Sequence, residues 1–260
     1  MTDYAKYVNS TTKHYISNCG HDENNKYRGG EAGDQTGTEY YLRTWYNRPW
    51  TCVLRYPNVA VRDRIAILAI DAALNNKIGY DQSQRTTFWT QLKAAGYDPA
   101  AITVKCEADC TSSTAAIVKA VGFIMDIPAL QRVSINTSSR NMRVNFKNAG
   151  FVVLTDKKYL TSGNYLLPGD ILLYEDHHAA INVTKGSKAE SEGDLTTVAI
   201  TGRNVYVRVG PSVDYAPIGV AHMGEKYSYL NEQSNTGNGW YKIMFKTHEG
   251  WISRKYSKLI

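Results

Sequence analysis

Residues 166–183 read LLPGDILLYEDHHAAINV. Leu166-Leu167-Pro168-Gly169-Asp170 carries turn residues and leads into Ile171-Leu172-Leu173-Tyr174, an apolar run of strand length. Glu175-Asp176-His177 is a short polar turn, and His178-Ala179-Ala180-Ile181-Asn182-Val183 reads as a second strand. The pattern predicts a β-hairpin with His178 at the mouth of its second strand. There the backbone can hold the ring rigidly while it projects from one face of a sheet.

An imidazole held in this way is suited to general-base work, because its pKa lies near neutrality. Upstream, residues 107–113 read EADCTSS, and Ala115 to Val121 reads as a helix entered through Thr111-Ser112-Ser113 and closed by Gly122. Cys110 therefore sits at a helix start, where unpaired backbone N–H groups and the helix dipole favour a thiolate. On the residues alone two readings stand: a nucleophile with its base, or a packed cysteine and a solvated His177-His178 turn. Six histidines (His14, His21, His177, His178, His222 and His248) and four cysteines (Cys19, Cys52, Cys106 and Cys110) are available. The cysteines are too few and too widely spaced for a disulfide framework, and no C-x-x-C suggests zinc. Cys19 and Cys52 read as small buried hydrophobes.

The remaining chain suggests two domains, since 260 residues exceed what one core usually organises. Residues 29–50, GGEAGDQTGTEYYLRTWYNRPW, read as an ordered loop region whose tryptophans and tyrosines must pack somewhere. An amphipathic helix is expected from Asn58, its cap, to about Asn76, with Val61, Ile65, Leu68 and Ala72 on one face. A second is expected from Thr86 to Ala95, stopped by Gly96, and Phe146 to Leu154 holds an apolar run. Lys185 to Thr197 is rich in Lys, Glu, Ser and Gly and has linker composition. Beyond it, short β-rich runs at 198–200, 205–208, 218–220, 227–230, 240–245 and 250–253 predict a small β-barrel. The expected boundaries are 1–186, a linker at 187–197, and 198–260.

The formal charge of +6 and a hydrophobic content of 43% describe a globular, basic chain suited to an anionic partner. The basic residues are scattered, which argues against nucleic acid. No stretch reaches the ~18 to 20 apolar residues that span a bilayer, and Met1-Thr2-Asp3-Tyr4 lacks a basic leader. The expectation is synthesis in the cytoplasm, no membrane insertion, and release by another agent before any action outside.

Three strings carry a family resemblance. E-A-D-C-T-S-S around Cys110 resembles the D-C-S-G or D-C-S-S nucleophile motif of the NlpC/P60 peptidases, a papain-like family of cell-wall hydrolases. L-L-P-G-D-I-L-L-Y and H-A-A-I-N-V resemble that family's P-G-D strand and histidine strand, in the same order. Residues 20–39, together with W-Y-N-R-P-W at 45–50 and V-L-R at 53–55, look like the N-terminal region of phage and prophage lysins. Gly202 to Ser212, with N-G-W-Y-K-I at 238–243 and E-G-W-I-S at 249–253, is similar to bacterial SH3 domains.

The resemblance implies an α+β fold, a papain-like catalytic domain followed by an SH3-like barrel. It implies Cys110 as nucleophile and His178, not His177, as base, with no metal or cofactor. Asp109, Asp34, Gln35, Asp22 and Trp45 are candidates for positioning or substrate binding; pinning the loop is the alternative for the acidic ones, and core packing for Trp45. Tyr206, Tyr215 and Trp240 are the wall-binding candidates, drawn from a pool taken as exposed. The implied partner is bacterial peptidoglycan, with anionic wall polymers beside it, and the implied reaction is thiol-dependent cleavage of a stem-peptide amide. A D-γ-glutamyl linkage is the expected bond, with the N-acetylmuramoyl-L-alanine amide as alternative. A non-catalytic wall-binding protein is the rival of another class. The family draws a third polar residue from a strand after the histidine strand; here the chain passes directly into the linker composition, so that position is unassigned.

Overall fold

Strand and helix positions follow from where apolar side chains can be buried while every backbone group finds a partner. The computed structural model describes residues 2–189, 197–245 and 248–260. It divides into two compact units, Met1–Ala189 and Glu190–Ile260. Most of the stretch read as a linker, residues 190–196, lies outside the described residues.

Unit 1 contains, in chain order, α1 (Ala5–Val8), β1 (Tyr15–Cys19), β2 (Tyr40–Thr44), β3 (Cys52–Arg55), α2 (Val59–Leu74), β4 (Ile78–Tyr80), α3 (Thr87–Ala94) and β5 (Cys106–Ala108). It continues with α4 (Cys110–Ile124), α5 (Pro128–Gln131), α6 (Met142–Asn148), β6 (Val152–Leu154), α7 (Lys157–Leu160), β7 (Ile171–Tyr174) and β8 (His178–Asn182). Six strands form one sheet in the order β2-β1-β8-β7-β3-β6, and β4 and β5 pair parallel in a small second sheet. The β7–β8 hairpin forms as the sequence suggests, with Tyr174 opposite His178. One face of the sheet is covered by α2 and α4, whose Ile65, Ala69, Ile117 and Val121 join Leu54, Ile171 and Ala179 in the main core.

The Asn58 side chain caps α2 by accepting from the Val61 N–H, as its position predicts. The helix at Cys110 differs from expectation at both ends. It begins at Cys110 itself, because Asp109 is the N-cap and forms a reciprocal capping box with Ser112. It also runs through Gly122 to Ile124. Gly122 does not end the helix; a Cβ there would collide with Leu130 and Gln131, so the glycine lets α5 pack closely.

The larger correction concerns the N-terminal region: β2 lies within residues 29–50, which were expected to be loop, and β1 precedes them. β1 is buried along most of its length although Ser17 and Asn18 are polar. It pairs with β2 on one side and with β8 on the other, placing Ile16 opposite Asn182. The edge of β8 away from β7 is thus paired with a strand from near the start of the chain.

Unit 2 is all-β, with strands β9 (Thr197–Ile200), β10 (Asn204–Arg208), β11 (Pro217–His222), β12 (Lys226–Ser234), β13 (Trp240–Phe245), β14 (His248–Ser253) and β15 (Ser257–Leu259). Its strand order is β11-β10-β14-β13-β12-β9-β15, around a core of Val198, Val205, Val207, Ile243, Phe245 and Ile252. Among the described residues no helix is long and apolar enough to cross a membrane.

Candidate active site

Asp109 fixes the entrance of α4. One carboxylate oxygen accepts from the N–H groups of Thr111 (2.9 Å) and Ser112 (2.7 Å), and the other lies 2.9 Å from Arg85 Nε. Arg85 also donates to Thr111 Oγ1 (2.8 Å) and to the Thr137 carbonyl (2.7 Å), so the helix start is tied to the loop before α6. Asp109 accordingly caps the helix that begins at Cys110.

The half-buried Cys110 opens α4, which packs against β8, and the backbone at Ala179, the residue after His178, bears on its thiol. His178 is only 6% exposed. Its Nε2 lies 3.0 Å from Asn18 Oδ1. An amide oxygen only accepts, so a neutral His178 carries its proton on Nε2 and leaves Nδ1 as the free base. Asn18, on β1, is thus the polar side chain that meets the His178 ring.

Burial decides the resting protonation states. It raises the Cys110 thiol to about 12, and the neighbouring Asp109 charge acts in the same direction, outweighing the Ala179 N–H, Arg85 and Arg48. Burial likewise lowers the His178 imidazole to about 3, assisted by the positive charges of Arg48 and Arg43. Both directions favour a neutral thiol and a neutral imidazole over the helix-start thiolate expected from the sequence.

Replacing Asn18 by alanine is expected to leave Nε2 without a buried partner and free the ring to reorient. We expect any kcat that depends on His178 as a base to fall by about 10²-fold, in the range a misplaced general base costs. Activity within about twofold of wild type, with an unchanged melting temperature, would remove Asn18 from the site.

The other candidates are distributed as follows. Asp34 Oδ1 accepts from the N–H groups of Thr36, Gly37 and Thr38, and Oδ2 from those of Glu39 and Tyr40. Asp22 accepts from Asn24 and Lys26, and the exposed Gln35 donates to its own loop's carbonyls. These residues pin the 20–39 loop by its backbone. Trp45 is half-buried in a satellite core with Trp50, Leu172 and Ala180. In unit 2, Tyr206 and Tyr215 are exposed, but Trp240 is 5% exposed, which corrects its reading as a surface residue. Trp240 does line, with Tyr206, Arg208, Lys255 and Tyr256, a cavity of about 380 Å³. Among the described residues no group of three or more His, Cys, Asp or Glu is arranged to hold a metal.

The 20–39 loop meets β5 through Glu107, whose Oε1 accepts from the Gly33 N–H at 2.5 Å. Burial raises this carboxyl to about 8, with Glu39, Asp81 and Glu23 contributing in the same direction. Because the folded value exceeds the unfolded one, the favourable contribution is complete below about 4.5 and is lost as pH rises through about 8. A Glu107→Gln variant should therefore gain in melting temperature relative to wild type between pH 5 and pH 9. A difference between the two proteins that is constant with pH would refute this assignment.

Comparison with known proteins places this geometry in a family. Residues 16–189 match the endolysin-like domain, and residues 203–258 match the bacterial SH3 domain. The chain belongs to the endolysin-like domain family. A stretch of 76 residues is 33% identical to a putative N-acetylmuramoyl-L-alanine amidase, YrvJ, of Bacillus subtilis (strain 168). The match covers 28% of this chain and 14% of that relative's length. The endolysin-like match contains Asn18, Cys110 and His178 together, along with the loop that Asp34 pins. The SH3 match lies within the all-β unit 2.

Proposed function

We propose that this member of the endolysin-like domain family is a peptidoglycan hydrolase of the NlpC/P60-like, papain-like type, cutting a stem-peptide amide through Cys110, His178 and Asn18. The observation that carries the reading is the convergence of a helix-start cysteine with the histidine strand, His178 being oriented by the Asn18 amide.

In this mechanism Cys110 attacks the amide carbonyl while its proton passes to His178 Nδ1, so that charge develops only as the bond forms. The imidazolium then returns the proton to the leaving amine, and water resolves the thioester. The Cys110 N–H, at the first helical position and outside the Asp109 cap, is available to the developing oxyanion. Unit 2 would hold the enzyme on the wall, with Tyr206, Tyr215 and the cavity beside Trp240 as contact surface for peptidoglycan or anionic wall polymers. The enzyme would act on the bacterial cell wall.

Two bonds compete. The resemblance to NlpC/P60 peptidases points to the D-γ-glutamyl linkage, whereas the printed name of the Bacillus subtilis relative points to the N-acetylmuramoyl-L-alanine amide. Mass spectrometry of muropeptides released from purified walls separates them. New amines on the third stem residue support the first, and new L-alanine amines support the second. Absence of any new amine would overturn the hydrolase reading.

A further inference from the structure

Between β2 and β3 the chain builds a stack that ends at the base. The Arg43 guanidinium lies 3.9 Å from the Tyr46 ring centroid, Tyr46 meets Trp50 edge-on at 5.9 Å, and Trp50 lies 6.1 Å from the His178 ring. Arg48, on the same segment, donates from Nη1 to Tyr46 Oη at 2.9 Å and has its guanidinium carbon 5.7 Å from the Tyr174 ring centroid. Both arginines are half-buried, and among the described residues neither is in an ion pair. Tyr174 stands opposite His178 in the β7–β8 hairpin, so the contact with its ring sets Arg48 beside the strand pair that carries the base.

Holding two cations next to a base is unfavourable for the imidazolium that the reaction must form. An arrangement with that cost and no carboxylate partner is explained by an anion that arrives with the substrate. Aromatic contacts preorganise the guanidinium plane, and Arg48 keeps most of its five N–H donors for a planar, two-oxygen acceptor.

We propose that Arg48, backed by Arg43, binds the free α-carboxylate of the stem-peptide glutamate. The inference rests on the hydrolase reading for the identity of the peptide. It gives that site a specificity: substrates bearing the carboxylate are preferred over those in which it is a carboxamide. The bound anion also offsets the two arginines, which lets His178 accept a proton once substrate is in place.

The test uses two synthetic muramoyl-tetrapeptides that differ only in the stem glutamate α-group, carboxylate or carboxamide. Binding is measured on the full chain carrying Cys110→Ala, so that recognition is read without turnover. The carboxylate peptide is expected to bind at least about tenfold more tightly, and Arg48→Met in that background should abolish the preference while leaving carboxamide affinity within about twofold. Arg48→Lys should restore part of it, since it keeps the charge and loses the planar fork. Equal affinity for the two peptides, or an Arg48→Met loss that is the same for both, would overturn the inference. Turnover by the unsubstituted chain is followed in parallel. If the carboxylate preference is found but neither peptide nor whole walls are cut, the hydrolase reading fails and the anion site stands.

Discussion

A Cys110→Ala chain is expected to lose wall clearing by on the order of 10⁵-fold, the scale seen when a nucleophile acting as one unit with its base is removed. The melting temperature should change little, because the substitution removes one half-buried sulfur at the start of α4 and leaves the Asp109–Ser112 capping box in place. Wall binding should persist, since the proposed wall contacts lie in unit 2. His178→Ala should be comparably damaging, whereas His177→Ala should not: His177 is exposed and its ring packs on Tyr174 at 4.2 Å. The resting state adds a chemical signature. With the thiol raised to about 12, iodoacetamide labelling of Cys110 should keep rising with pH beyond 9, rather than level off near neutrality as for a preformed thiolate. Unchanged clearing by Cys110→Ala would leave the non-catalytic wall-binding reading in its place.

The site was legible in the sequence where its residues are close together along the chain. Asp109, Cys110 and Ser112 form a cap within four positions, and the P-G-D turn followed by two short apolar runs predicts the β7–β8 hairpin and the place of His178. The helix start at Cys110 follows from Asp109, since Asp is a preferred N-cap residue, whereas Thr111-Ser112-Ser113 alone suggests a later entry. Asn18 was not legible. The strand Tyr15–Cys19 presents two polar residues in a polar region, and nothing local marks it as an interior strand. It is stable there because Ser17 donates to the Ala69 carbonyl at 2.8 Å and Asn18 meets His178, partners 52 and 160 residues away. Tertiary partners of that kind override local pattern. The same holds for Arg43 and Arg48, whose role depends on what the β2–β3 segment packs against.

The largest effect on stability is expected at Asp170, the aspartate of the P-G-D turn. Its carboxylate is fully buried and accepts from Arg55 Nε at 2.8 Å and Nη2 at 2.6 Å, while Oδ2 also takes the Leu167 N–H at 2.8 Å. One side chain therefore joins the end of β3, the turn and the start of β7. Alanine at this position leaves a guanidinium with little solvent access, still bonded to the Tyr165 carbonyl at 3.0 Å but without its counter-charge. Breaking one side of a buried pair typically costs about 3–5 kcal/mol, because the remaining charge stays desolvated. Urea denaturation should report that loss as a lower midpoint at unchanged slope. Pairing Asp170→Leu with Arg55→Met should recover much of it, since removing both charges also removes the desolvation cost. Activity should follow the folded fraction, because β7 is the strand that holds β8, and β8 carries His178. A loss below about 1 kcal/mol for Asp170→Ala would mean that water reaches Arg55 and that the pair does not organise the hairpin.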